Sequence, residues 1–286
     1  MNRPKGCPVC GEPLVPSFCK NGLQVGLCPR CGVIAVMDQV DPSDLEKLYG
    51  NDYYAKDCAR YVKVTHGHRA TWLRRLRLIE KYQKSSGSGK RILDVGCSTG
   101  AFLAVAQGAG WDVWGVDISP EATREARERV GSGRISEDLF ALGAAGSFDV
   151  VSMWAVLEHL ADPVSYLRQA RLLLRPGGIL ALATVNTDAW NRKLFKSKWR
   201  YFTPPEHLVY FNTRNLAQTL CDLGFKELYV ATRFSDRAFW QGAGVCDFQR
   251  AHWIVRKLRR LLLLPLGSAA SWLKQGDIIE LIARQV

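Results

Sequence analysis

The segment Arg91-Ile92-Leu93-Asp94-Val95-Gly96-Cys97-Ser98-Thr99-Gly100, followed at once by AFLAVAQ, restricts the fold more than any other stretch of the chain. Its apolar first half suits a buried strand, its glycines a tight turn, and its tail a helix. A second strand, Trp111 to Val116, ends in Asp117, and a helix follows from Pro120 to about Val130. Strand, helix, strand, helix in this rhythm predicts a parallel sheet with helices on both faces. Any ligand then belongs at the carboxyl ends of the first strands.

The turn also narrows the ligand. A dinucleotide-binding turn spaces its glycines as G-x-G-x-x-G, so that backbone amides and a helix N-terminus meet a pyrophosphate. Here the pattern is Asp94-x-Gly96-x-x-x-Gly100, with Ser98 inside it. A carboxylate beside the turn repels a pyrophosphate but suits an ammonium group. Asp117, at the end of the second strand, is placed to accept hydrogen bonds from both hydroxyls of a ribose. S-adenosylmethionine meets both demands: it carries an amino group, a sulfonium, a ribose and an adenine, and no phosphate.

From about residue 91 to 233 the chain resembles the class I S-adenosylmethionine-dependent methyltransferases. LDVGCSTG is similar to the family's first motif, with Ser98 where glycine is frequent, and Val116-Asp117-Ile118-Ser119 to its acidic second motif. Glu137-Asp138-Leu139 resembles the loop that holds the adenine, with Asp138 facing its amino group. Phe148-Asp149-Val150-Val151-Ser152-Met153-Trp154 matches the fourth strand, Val156-Leu157-Glu158-His159-Leu160 the turn after it, and Leu174-Arg175-Pro176-Gly177-Gly178 the turn into the fifth. The nearest likeness is to small-molecule O-methyltransferases such as those of ubiquinone synthesis, including Pro204-Pro205-Glu206-His207-Leu208. The resemblance implies an α/β, Rossmann-like sheet, mostly parallel with its last strand antiparallel. It also implies cofactor contacts from Asp94, Gly96, Cys97, Ser98, Gly100, Asp117, Ile118, Asp138, Leu139 and Trp154. The expected reaction is methyl transfer to a small-molecule, glycan or lipid-linked acceptor at oxygen.

Ahead of this domain stand two copies of C-P-x-C-G, Cys7 to Gly11 and Cys28 to Gly32, with 17 residues between Cys10 and Cys28. That is the spacing of a four-cysteine zinc site, because two residues between thiols let a tight turn aim both sulfurs at one ion. Cys7, Cys10, Cys28 and Cys31 are the expected ligands, and iron in a rubredoxin-like site fits the same pattern. A ribbon of about 30 residues cannot build its own core, so the metal would supply much of its folding free energy. It reads either as a finger for nucleic acid or a partner, or as a metal-stapled cap on the next domain. Cys19 is expected to be a spare thiol, and Cys58, Cys97, Cys221 and Cys246 to pack as small apolar residues.

The chain accordingly divides into a zinc ribbon at 1–37, a helical hinge or lid at 38–90, and a methyltransferase domain at 91–286 with insertions at 186–212 and 234–276. In the hinge, Asp41-Pro42-Ser43-Asp44 reads as an N-cap. From Arg69 to Arg91 eight cations face Glu80 alone beside Trp72, Leu73, Leu76, Leu78 and Ile79, the pattern of an amphipathic helix with a solvated basic face. Trp190 to Phe202 interleaves five cations with five aromatics, which suits either a grip on the acceptor or an ordinary lid. In the second insertion, Arg256, Lys257, Arg259 and Arg260 beside an apolar run suit an interfacial helix over 250–274 that rests peripherally on a membrane, or a helix packed on protein.

A net charge of +12 favours an anionic partner. An RNA methyltransferase that uses the ribbon and basic loops to hold nucleic acid is the second reading, and a non-catalytic cofactor-binding module the third. No Asn-Pro-Pro-Tyr-like motif for exocyclic base amines is present. If a base is used, His207 and His159 are the candidates, since neutral imidazole titrates near working pH. The N-terminus lacks the apolar core of a secretory signal and no stretch is long and apolar enough for a membrane span, so a cytoplasmic protein is expected.

Overall fold

The computed structural model describes residues 6–40, 65–83, 89–143, 145–235 and 264–286. The hinge segment 41–64, with its N-cap signature, and the basic run at 250–260 lie outside the described residues, as do Cys58 and Cys246.

Seven strands form the main sheet: β4 (Arg91–Val95), β5 (Asp112–Val116), β6 (Ile135–Ser136), β7 (Phe148–Trp154), β8 (Leu174–Val185), β10 (Phe225–Arg233) and β11 (Ile278–Gln285). Their order is β10-β11-β8-β7-β4-β5-β6. β11 runs antiparallel to both neighbours, and the remaining pairs are parallel. This is the mostly parallel sheet with an antiparallel last strand that the sequence implies. β7 is buried at all seven positions, as a central parallel strand covered on both faces must be. On β5, next to the edge strand β6, a side chain at Gly115 would meet Cys97 and Leu103 at 2.7 Å, so the packing of α2 (Ala101–Gly108) against the sheet requires glycine there.

The helices start where their caps predict. Ser119 caps α3 (Pro120–Val130) and Asp162 caps α4 (Pro163–Leu173), each with proline in the first turn, while Asn212 and Asn215 form a reciprocal box at the start of α6 (Thr213–Asp222). The helix α1 (Thr65–Tyr82) buries Leu76 and Ile79 against the sheet.

The basic face of α1 departs from expectation. Arg74 (2.7 Å) and Arg75 (3.2 Å) donate to the carboxylate of Glu280 on β11, joined by Arg233 from β10 (3.0 Å). Glu280 is 2% exposed. Burial alone would raise its pKa, but the hydrogen bonds from Arg74 and Arg233 outweigh it and hold the carboxyl at about 2. A second departure is Cys221, which is exposed, whereas Cys97 is buried as expected.

The ribbon contributes β1 (Val15–Lys20), β2 (Leu23–Leu27) and β3 (Ile34–Val36). Its sheet takes a fourth strand, β9 (Val209–Tyr210), from the end of the first expected insertion, in the order β1-β2-β3-β9. The apolar core is continuous across this junction: Cys7, Leu14, Cys28 and Val33 share one cluster with Val95, Leu157, Val209 and Phe211. Trp199, Phe202 and Tyr210 pack in another with Val25 and Ile34. The aromatics of the 190–202 segment, which opens with α5 (Trp190–Phe195), therefore turn largely inward. In the second expected insertion, α7 (Leu264–Trp272) leaves Leu266 and Trp272 exposed, as is the following Leu273. Among the described residues, no helix is long and apolar enough to cross a membrane.

Because Glu280 is ionised in the fold at a pH where an unfolded glutamate is protonated, its contribution is complete above pH ~4.5 and is lost as pH falls toward about 2. Glu280→Gln is expected to cost about 2 kcal/mol at neutral pH and to flatten the stability curve over that acid range. Urea titrations of both proteins from pH 6 to 3 test this; parallel curves would refute it.

Candidate active site

The turn after β4 is fixed by backbone contacts to the end of β5. Gly96 and Cys97 each donate to the carbonyl of Val116, at 2.8 and 3.0 Å, so the two strand ends lie side by side. Gly96 has φ +70°, and a side chain there would strike Val156 at 2.5 Å; only glycine meets both requirements. Ser98 also takes a positive φ, and its N–H donates to one oxygen of Asp117 at 2.8 Å. The N–H of Ser119 donates to the other oxygen at 3.0 Å. Each oxygen keeps a lone pair for an incoming hydroxyl.

Asp94, at the end of β4, is buried at 2% exposure and accepts a 2.6 Å hydrogen bond from the Ser152 hydroxyl. Burial pushes its carboxyl up to about 8, against the Ser152 hydrogen bond and the charge of Arg75. Burial likewise raises Asp117, while the amides of Ser119 and Ser98 hold it down. Two carboxylates thus stand at adjacent strand ends. Trp154, at the end of β7, carries the Arg75 guanidinium 4.5 Å from its ring centroid and packs edge-on to Phe102. On the far side, Leu139 is buried, Ile118 is 64% exposed, and Asp138 accepts from the Phe140 amide at 2.8 Å.

Across the carboxyl end of the sheet, a short turn after β7 presents Glu158 and His159, and the segment before β9 presents His207. The two imidazoles meet edge to face at 4.6 Å. Nδ1 of His159 lies 2.9 Å from the carbonyl of Glu206, and Nδ1 of His207 lies 2.9 Å from that of Tyr201. A carbonyl only accepts, so in each ring Nδ1 carries the proton and, in the neutral form, Nε2 is the basic nitrogen. Glu158 is 2% exposed and accepts from the Thr184 hydroxyl at 2.6 Å. Glu158, His159 and His207 bring one ligand atom each within 4.8 Å of one another, an arrangement suited to moving a proton or holding a cation.

At the ribbon, the four sulfurs of Cys7, Cys10, Cys28 and Cys31 also gather within 4.8 Å. Cys7–Cys31, Cys10–Cys28 and Cys10–Cys31 are separated by 3.5, 3.4 and 3.6 Å. A tetrahedron of thiolates around zinc needs sulfurs about 3.8 Å apart. Both knuckles fold alike, Gly11 donating to Cys7 and Gly32 to Cys28, with the glycines at φ +76° and +73°.

Arg75 and Glu158 were not signalled by the sequence as site groups. Arg75 reads as one cation among eight in a basic stretch, and Glu158 as part of a turn motif; Arg75 acquires meaning through Trp154 and Glu280, and Glu158 through Thr184 and His207, partners well beyond any local pattern. A charged residue inside an otherwise apolar stripe is the one local sign that Arg75 offers.

The methyltransferase domain family model matches residues 66–230. The ubiquinone biosynthesis O-methyltransferase of Aromatoleum aromaticum is 32% identical over 155 residues, covering 52% of this chain and 64% of the relative. That of Ralstonia nicotianae is 33% identical over 156 residues, covering 52% and 63%. The chain thus spans slightly less than two thirds of the length of these curated relatives. Among solved structures, a SAM-dependent methyltransferase of Thermotoga maritima, described as a possible histamine N-methyltransferase, matches with TM-score 0.53 and 18% identity, covering 82% of this chain and 98% of that one. At that identity the likeness is one of fold.

Burial lowers the His207 imidazole to about 4, assisted by the charges of His159 and Arg200 and opposed by Glu158. In the folded protein its ring resonances are expected to titrate near that value, not near 6.5. Stability should then decline as pH falls from about 6.5 toward 4, since the unfolded chain binds the proton first. Histidine-selective NMR tests this, and a His207 midpoint near 6.5 would show that water reaches the ring.

Proposed function

The chain belongs to the methyltransferase domain family, and on that premise we propose that it transfers a methyl group from S-adenosylmethionine to an oxygen of a small-molecule, glycan or lipid-linked acceptor. The observation that carries this reading is the pair of carboxylates at adjacent strand ends, Asp94 on β4 and Asp117 after β5, around a turn with left-handed residues at 96, 98 and 100. Asp117, held by two backbone amides, keeps a free lone pair on each oxygen for the ribose hydroxyls. Asp94 faces the amino group, and Arg75, near enough to feel the charge of Asp94, suits the carboxylate of the same ligand. Ile118, Leu139 and Trp154 supply apolar surface, and Asp138 the adenine edge. The names of the curated relatives support a small molecule over RNA, and the exposed Leu266, Trp272 and Leu273 support the lipid-linked branch.

The bound donor supplies an electrophilic sulfonium methyl, and what remains for the protein is alignment and proton removal. His207, with Nδ1 tied to a carbonyl, offers Nε2 to the acceptor hydroxyl, with His159 beside it. A base as weak as a buried imidazole suffices, because the acceptor oxygen becomes strongly acidic as the methyl arrives. Glu158 stabilises the imidazolium that results.

The ribbon is proposed to hold one zinc ion through Cys7, Cys10, Cys28 and Cys31, supported by the sulfur separations. Closed four-cysteine sites of this kind are structural zinc sites, which favours zinc over iron.

Asp117→Ala should weaken binding of S-adenosylhomocysteine by about 100-fold, the equivalent of two charge-assisted hydrogen bonds at roughly 1.5 kcal/mol each. Titration calorimetry measures it, and an unchanged affinity would remove the basis for the reading. Elemental analysis of the purified protein should return one zinc per chain.

A further inference from the structure

The segment from Trp199 to Phe211 carries His207, yet it has little regular structure of its own. Its internal backbone bonds are three turn contacts, Phe202 to Trp199, Thr203 to Tyr201 and His207 to Thr203, and its one strand is two residues long. Such a segment takes its position from its neighbours.

One set of neighbours is the catalytic domain: Leu208 donates to the carbonyl of Glu158 at 2.7 Å, and Thr187 to that of Phe211 at 2.8 Å. The other set is the ribbon. β3 pairs Ile34 with Tyr210 and Ala35 with Val209, and the Val36 amide donates to Leu208 at 2.9 Å. The side-chain amide of Asn21 donates to the carbonyl of Pro204 at 2.8 Å. The Phe18 and Phe202 rings lie 4.8 Å apart. Trp199, Phe202 and Tyr210 are each at most 1% exposed, and Val25 and Ile34 of the ribbon join their cluster beside Val185 and Ala189 of the main domain. The cofactor turn has a separate anchor, the Val116 carbonyl on β5.

We propose that the four-cysteine ribbon is the support of the acceptor half of the active site, so that a metal bound at Cys7, Cys10, Cys28 and Cys31 fixes the placement of His207. This deepens the functional reading above and rests on two of its premises, a metal in the ribbon and an acceptor site beside His207. The ribbon's three short strands have little core of their own, and its two knuckles are joined at the four sulfurs, so loss of the ion loosens the strands between them. Its collapse withdraws β3 from β9 and uncovers Trp199 and Phe202, while the bonds that shape the cofactor turn remain. Asn21 and Phe18 are then positioning residues that act on His207 through Pro204 and Phe202.

The test uses the full chain, with its metal and after chelation, in hydrogen-exchange mass spectrometry alongside calorimetry with S-adenosylhomocysteine. Metal removal is expected to speed exchange by about tenfold or more across 199–211, while 91–100 and 111–117 stay within about twofold. Affinity for S-adenosylhomocysteine should persist. The double variant Phe18→Ala, Asn21→Ala should keep one zinc per chain and still show faster exchange in 199–211. Unchanged exchange in that segment after metal loss would overturn the proposal, as would equal acceleration of the cofactor strands, which marks a ribbon that stabilises the domain indiscriminately. Purified protein without stoichiometric metal would overturn the metal premise itself, a result separable from the others by elemental analysis.

Discussion

The carbonyl of Val116 accepts two backbone N–H groups from the turn after β4, and the geometry of the candidate site follows from that one junction. It brings the ends of β4 and β5 level, so Asp94 and Asp117 face the same space. It obliges the chain to leave the sheet through residues of positive φ, which is why glycine stands at 96 and 100 and the strained residue between them is a small serine. With the turn so fixed, the amide of Ser98 is free to point at Asp117 and orient its carboxylate before any ligand arrives.

Three buried carboxylates show how differently one fold treats the same group. Glu280 sits among three guanidinium groups and stays ionised far below the usual range. Asp94 has a single hydroxyl and a more distant Arg75, and its carboxyl is pushed into the range where the proton is readily exchanged. Glu158 is as buried as Glu280 and faces a hydroxyl and two imidazoles. The first is a fastener between α1, β10 and β11, whereas Asp94 and Glu158 each pair with a hydroxyl at the carboxyl end of the sheet. Burial is common to all three, and three guanidinium groups set Glu280 apart.

What was legible in the sequence was whatever is encoded over short distances. The apolar runs of β4, β5 and β7, the start of α3 at Pro120 and the twin cysteine knuckles each announce themselves within ten residues, and the parallel pairing of the sheet follows from the alternation of strand and helix. What was hidden lies in contacts between distant positions. The basic face of α1 looks solvated by composition, because nothing near Arg74 and Arg75 reveals the carboxylate at Glu280. The aromatics of 190–202 look like a pocket wall until the ribbon is seen to cover Trp199 and Phe202. Cys221 offers no local sign of exposure either. The two-residue strand β9 is too short for any periodicity to register, and the ladder it makes with β3 spans about 175 positions.

That ladder bears on how such a chain can come to be shorter or longer. The family model begins at residue 66, beyond the ribbon, so the ribbon has the outline of a detachable preface. Yet cutting the chain before residue 38 would remove the strand that pairs with Val209 and Tyr210 and strip the cover from two of the most deeply buried aromatics. A ribbonless descendant would have to redesign the 199–211 segment at the same time, with new partners for its backbone and smaller or more polar side chains. Loss of the ribbon is therefore a coordinated remodelling of two remote parts of the gene and not a simple truncation.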